Sequence, residues 1–447
     1  MSDMNQCWWR WYYKLGLGIS LVAAALTSPV QAQVTPDGTL GTQVNGSLAP
    51  CIGGICQITN GTRMGSNLFH SFQDFSLPTG STAHFNNPST IQNIFSRVTG
   101  ETISDLDGRI QTNGTANLFL LNPNGIVFGP NARLDISGSF VASTASSMIF
   151  SDGTVFSATD SQPSPLLTIS VPIGLQYGAT AQEIRLQGSE LGVQPGNTLA
   201  LIGGDVNLDG AQLWASGGRV ELAGVAGGNT VALNVTPDLS LLFPDEVARA
   251  DVSMTNQAVV KVRGQGGGSI AINADNLDIS GASRLQAGLL DSVGSVAGDI
   301  EINTTGAINL TNQSVITNLV QLGAMGKGGS INITTGSLTV ENSASLGTAT
   351  LGKGDAGSVI INAKDTVQFD GDNSIAGSIV ETNAVGDGGD INITTGSIFL
   401  TNGAQLQVMT RGQGNAGSIT IQAEDSIFLD GVGTDGIRST LFAKADD

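Results

Sequence analysis

Histidine is nearly missing from this 447-residue chain: His70 and His84 are the only two, and cysteine is limited to Cys7, Cys51 and Cys56. A structural or catalytic metal centre needs three or four clustered His, Cys or carboxylate ligands. The sequence therefore assigns no metal and no cofactor. Charge is scarce as well, at 12% of residues against about 25% in ordinary domains, and it leans acidic, with a formal net charge of −19. A surface of that sign repels nucleic acid and anionic lipid headgroups, which removes both as direct partners. Long helical periodicity is absent, and no apolar run approaches the roughly 20 residues of a membrane span.

What the chain has instead is glycine, 61 residues of it, set among short Ile, Val and Leu pairs within a 40% hydrophobic composition. That mixture excludes disorder and suits many short strands joined by tight turns. The first 32 residues stand apart. Arg10 and Lys14 precede an uncharged apolar run over residues 15–26, and Val30-Gln31-Ala32 is a small-x-small cleavage site. The pattern predicts a secretory signal peptide cut after Ala32. Cleavage removes Cys7 and leaves Cys51 and Cys56, spaced Cys-Ile-Gly-Gly-Ile-Cys. In an exported chain that even count points to a local disulfide rather than two free thiols.

From about residue 266 the sequence repeats. Units begin GGSIAINADN, AGDIEINTTG, GGSINITTGS, AGSVIINAKD, GGDINITTGS and AGSITIQAED, and their first aliphatic residues are Ile270, Ile300, Ile331, Val359, Ile391 and Ile419. Those positions lie about 30 residues apart. Within a unit, Ile331 and Ile333 alternate onto one strand face, Leu338 and Val340 form a second run, and residues 345–349 form a third. Three short strands make one coil, and stacked coils bury a column of aliphatic side chains. The expected fold is all-β, a right-handed parallel β-helix. Asn273, Asn303, Asn362 and Gln422 occupy equivalent places and serve either as a stacked amide ladder or as solvated turn residues.

Residues 33–250 lack the regular period but share its chemistry, and they hold most of the phenylalanines and both histidines. Here Gly61-Thr62-Arg63, NLFHSFQDF (67–75), Phe85-Asn86-Asn87, Arg97-Val98-Thr99-Gly100, Asp107-Gly108, ANLFLLNPNGI (116–126) and Phe128-Gly129-Pro130 occur in order, with LALIGGDV at 199–206. This series resembles the filamentous haemagglutinin N-terminal domain, the secretion domain of two-partner exoproteins. The resemblance implies an N-terminal capping secretion domain over 33–250 ahead of β-helix repeats over 251–447. It also implies a dedicated outer-membrane barrel transporter of the TpsB type as partner, engaged through its periplasmic POTRA domains, with the exported chain folding at the surface. A second Asn-Pro-Asn-Leu motif of some members is replaced here by Asn86-Asn87-Pro88-Ser89, and no role is carried to that position.

The tetrad Asn122-Pro123-Asn124-Gly125 is the candidate secretion motif. Asn at the first position, Pro at the second and Gly at the fourth are type I turn residues, so the corner is largely formed before its strands pair. The reading is a monomeric, secreted, adhesin-like exoprotein, with a cell-surface receptor or glycan as its further partner. The competing reading is a β-helical carbohydrate lyase or hydrolase. It is weakened because Asp299, Asp355 and Asp390 recur at turns with no Arg or Lys at a fixed offset, so no catalytic residue is assigned.

Overall fold

A computed structural model describes residues 33–160, 167–235, 239–244 and 246–445. The expected signal peptide, and with it Cys7, lies outside the described residues. Within them the chain is all strand, with no helix. It winds as a right-handed parallel β-helix whose coils each contribute one short strand to each of three walls. The unit at 331–350 shows how the sequence does this. Ile331–Glu341 turns through Gly336 to serve two walls, with burial alternating at every second residue, and Ser345–Thr350 serves the third. Ile270, Ile300, Ile331, Val359, Ile391 and Ile419 pair directly, each with its counterpart in the next coil. Repeat alignment and strand register therefore coincide, because the inward aliphatic pair permits no slip by one residue.

The first wall begins with Asn67–Phe75, Asn93–Val98, Asn117–Leu121 and Phe140–Ser143, paired in parallel. Thr198–Gly203 and Arg219–Gly224 extend it towards the later coils. Its first strand is closed from the N-terminal side by Val34–Pro36, which pairs with it in antiparallel fashion. An additional antiparallel sheet, formed by Ser147–Phe150, Val155–Ser157, Pro172–Gln176, Thr230–Asn234 and Ser240–Leu242, covers this wall from outside. Phe150, Phe156, Leu175 and Val231 from that sheet join Phe69, Phe95, Phe119 and Ile202 from the wall in a second apolar core. The wall strands are consequently buried on both sides. This is why LFLL and LALI read as unbroken apolar runs while the later coils alternate.

Acidic residues at the corners fasten one coil to the next. The carboxylates of Asp107, Asp251, Asp299, Asp355, Asp387 and Asp390 accept the backbone N–H of Asn131, Asn276, Ser330, Asp387, Asn415 and Ser418, at 2.7–3.0 Å. Asp299, Asp355 and Asp390 are thus occupied as caps. The candidate ladder through Asn273 and Asn303 is interrupted, since Thr334 and Thr394 occupy the same register.

Candidate functional site

The Asn122–Gly125 corner carries the chain from Asn117–Leu121 in the first wall to Ile126–Phe128 in the second. The Gly125 N–H donates to the Asn122 carbonyl at 3.2 Å, which closes the four-residue turn. The Asn122 side chain is fully buried. Its Oδ1 accepts the Asn124 N–H at 3.0 Å, and its Nδ2 donates to the Thr102 carbonyl at 3.0 Å and to Ser104 Oγ at 2.9 Å. Asn124 Nδ2 reaches the Gly100 carbonyl at 2.7 Å. Both asparagines therefore grip the corner of the preceding coil. Gly125 has a φ of +113°, and a β-carbon there would meet the Glu183 carbonyl of the next coil at 3.4 Å. Pro123 and the outer side of Asn124 remain partly exposed and line a groove of about 450 Å³ with Glu101, Thr159 and Gln182. The corner is a clasp across three coils, and none of its groups is poised for bond chemistry.

Two ladders stand beside the clasp, and neither is among the expected site residues. Asn93 Nδ2 donates to Asn67 Oδ1 at 3.1 Å, Asn117 Nδ2 to Asn93 Oδ1 at 3.0 Å, and the Ser139 N–H ends the chain on Asn117 Oδ1. Two residues on, Phe69, Phe95 and Phe119 stack with centroids 5.1 and 4.9 Å apart. Their trace in the sequence is Asn-aliphatic-Phe recurring at 67–69, 93–95 and 117–119. Arg97, fully buried, donates from Nε to Ser71 Oγ and from Nη1 to the Ser157 carbonyl, and lies over the Phe156 ring. Ser71 in turn donates to Asp37. One guanidinium thus links the N-terminal cap, the first coil and the covering sheet.

Cys51 and Cys56 are joined as a disulfide in the loop that precedes Cys56 on Ile55–Asn60. His70 and His84 are not brought together. His70 is enclosed by Phe72 and Phe85, with Thr42 Oγ1 near Nδ1, and burial pushes its pKa down to about 3. His84 bonds Asn113 Oδ1 through Nε2 at 2.9 Å. Among the described residues no three His, Cys, Asp or Glu side chains gather as a metal-ligand set.

A family model described as the TPS secretion domain matches residues 32–272. The fold is similar to the HMW1 secretion domain from Haemophilus influenzae, with a TM-score of 0.51 and 18% identity over 93% of this chain and 98% of that one. The filamentous hemagglutinin secretion domain aligns over 92% and 99% of the two chains at 13% identity and a TM-score of 0.36. None of the curated proteins compared with the chain matches it. With more than half of its length matched and its coils wound in this way, the chain belongs to the TPS secretion domain family.

Proposed function

We propose that this chain is the exported partner of a two-partner system, delivered across the outer membrane by a TpsB-type barrel whose periplasmic POTRA domains receive residues 33–250. Residues 1–32 are the signal peptide, so the mature protein starts at Gln33 and carries the Cys51–Cys56 disulfide outward. The β-helix over 251–447 then acts as a monomeric, adhesin-like structural protein on or near the cell surface and has no enzymatic activity. One observation carries this reading. The TPS match over 32–272 ends inside the continuous first wall, whose next strands, Ile300–Thr304 and Ile331–Glu341, add in the same parallel register. A folded N-terminal part is therefore an edge on which later coils can stack one at a time.

Movement outward has no ATP to draw on at the outer face, so it must use free energy released on arrival. Coil-by-coil stacking releases it in small steps. The corner bonds supply a direction: in each of the six acidic caps the carboxylate belongs to the earlier coil and the N–H to the later one. Each completed coil thus offers its charged acceptor to the chain emerging next. The test is co-expression with and without the cognate barrel, reading culture supernatant and surface protease sensitivity. Export that is unchanged without the barrel, or a mature N-terminus other than Gln33, overturns the corresponding part.

A further inference from the structure

Glu221 is a buried carboxylate that neither the clasp nor the corner caps use. It stands on Arg219–Gly224, where Val220 and Leu222 point into the helix and Glu221 and Ala223 point outward beneath the covering sheet. Its side chain is fully buried. Oε1 accepts Arg219 Nε at 2.5 Å and the Leu241 N–H at 3.3 Å, whereas Oε2 has no hydrogen-bond partner. An ionised carboxylate with one oxygen unpaired in a dry site is costly. Its cation is shared as well. Register places Glu221, Ala271 and Glu301 in one row, and Arg219 reaches Ser269 Oγ at 3.0 Å and Glu301 at 3.7 Å. One guanidinium thus serves two carboxylates two coils apart.

What Glu221 holds is the free edge of the covering sheet. Ser240–Leu242 is the last strand of that sheet and pairs with Thr230–Asn234 alone. It is fastened to the wall by the Leu241 N–H on Glu221, by Thr198 Oγ1 donating to the Leu239 carbonyl at 3.2 Å, and by Leu239 and Leu241 in the second apolar core. An open groove of about 440 Å³ beside it, lined by Arg219, Ser240, Leu241 and Glu301, brings solvent to the guanidinium but not to the carboxylate below. Among the described residues the charged groups around Glu221 are Arg219 on its own strand, Glu301 on Ile300–Thr304, and Arg249, which bonds the Asn303 carbonyl of that same strand. Thr198–Gly203, Ser269–Ala274, Thr230–Asn234 and Ser240–Leu242 carry no charged side chain.

We propose that Glu221 is a proton-controlled latch on the covering sheet. With the carboxyl neutral, Ser240–Leu242 stays shut on the wall; with it ionised, the edge opens more often and releases Leu239 and Leu241 from the second core. Burial raises the Glu221 pKa from 4.5 to about 6 against the opposing effect of Arg219, and Glu301 adds to the rise. Once the strand lifts, the carboxylate meets water and returns to its ordinary range. The shut edge therefore binds the proton more tightly than the open one. The stability tied to Glu221 is complete below about pH 4.5 and is lost as pH rises through about 6. This is the opposite sense to a buried histidine, and it holds by whatever route the chain leaves the cell.

Hydrogen exchange of Thr230–Asn234 and Ser240–Leu242 is followed in purified secreted chain from pH 4.5 to 7.5, corrected for the intrinsic pH dependence of amide exchange. Opening of this edge should become about tenfold or more as frequent across the range, while Ile331–Glu341 stays unaffected. Glu221→Gln keeps an acceptor for the Leu241 N–H without the charge, so it should abolish the pH dependence and leave opening slow at pH 7.5. Arg219→Gln should move the transition to higher pH, whereas a merely structural ion pair would loosen the edge by the same factor at every pH. Wild-type opening that does not change with pH, a pH dependence that survives in Glu221→Gln, or an Arg219→Gln transition that stays in place or moves down overturns the proposal. Melting verifies that each variant keeps its fold, and Glu221→Gln alone decides if Arg219→Gln does not.

Discussion

Asn122 is where a single side chain decides most. Replacing it with Ala removes the bonds from its fully buried side chain to the Thr102 carbonyl and the buried Ser104 Oγ, and orphans the N–H of the partly exposed Asn124. Buried groups left unpaired cost about 1–3 kcal/mol, so Asn122→Ala should lose roughly 2–3 kcal/mol of local stability, more than an exposed turn substitution. Hydrogen exchange of amides 100–126 in the secreted chain should accelerate accordingly, and secreted yield should fall. Asn124→Ala gives up the bond to the Gly100 carbonyl while partly exposed, and should cost about 1 kcal/mol. Export at wild-type level despite the faster exchange would leave the corner structural and remove its special role in secretion.

His70 supplies a pH test at the same scale. Burial holds its folded pKa near 3, below the ordinary 6.5, so the unfolded cap binds the proton more readily. The stability tied to neutral His70 is complete above about pH 6.5 and is lost as pH falls towards 3, by about 1.4 kcal/mol per unit. Acid melting of the N-terminal cap should therefore be steep, and His70→Gln should flatten it. An unchanged acid slope in that variant would assign the acid sensitivity to other groups.

At the level of strands, the sequence revealed the coils in full register because Ile331-x-Ile333 and its counterparts point inward every second residue. It did not reveal the covering sheet. Ser147–Phe150 and Thr230–Asn234 each touch Pro172–Gln176, yet they are separated by two strands of the first wall, so no local hairpin pattern marks them as one sheet. Its trace was indirect: the unbroken LFLL run needed something apolar on the outer side. For the motif corner, the turn residues were legible in Asn-Pro-Asn-Gly, whereas the partners Thr102 and Ser104 were not, since only coil stacking brings them within reach. Phe95 tests the cover, because it stacks between Phe69 and Phe119 and meets Phe150 edge-on. Phe95→Ala should cost about 3–5 kcal/mol and speed exchange of Ser147–Phe150 and Pro172–Gln176 while coils beyond residue 300 stay protected. Uniform loosening along the whole helix would show instead that the cover and the distant coils form one cooperative unit.

Across the whole molecule the acidic balance acquires a specific use. No basic residue recurs beside these carboxylates in the sequence, and the fold pairs many of them with the next coil's backbone instead. Because the carboxylate always precedes the N–H in these caps, removing one should damage the later coils more than the earlier ones. Asp299→Ala orphans the Ser330 N–H and weakens Asn332, while Asn276 and Asp251 upstream keep their bond. Limited proteolysis of the surface-exposed chain during export should therefore show coils after residue 330 cut first, with 33–298 surviving as a stable fragment. Asp299→Asn, whose amide oxygen still accepts, should restore most of the protection. Equal loss on both sides of residue 299 would indicate that coils form together rather than in sequence, and the directional account of export would then fail even if the transporter were still required.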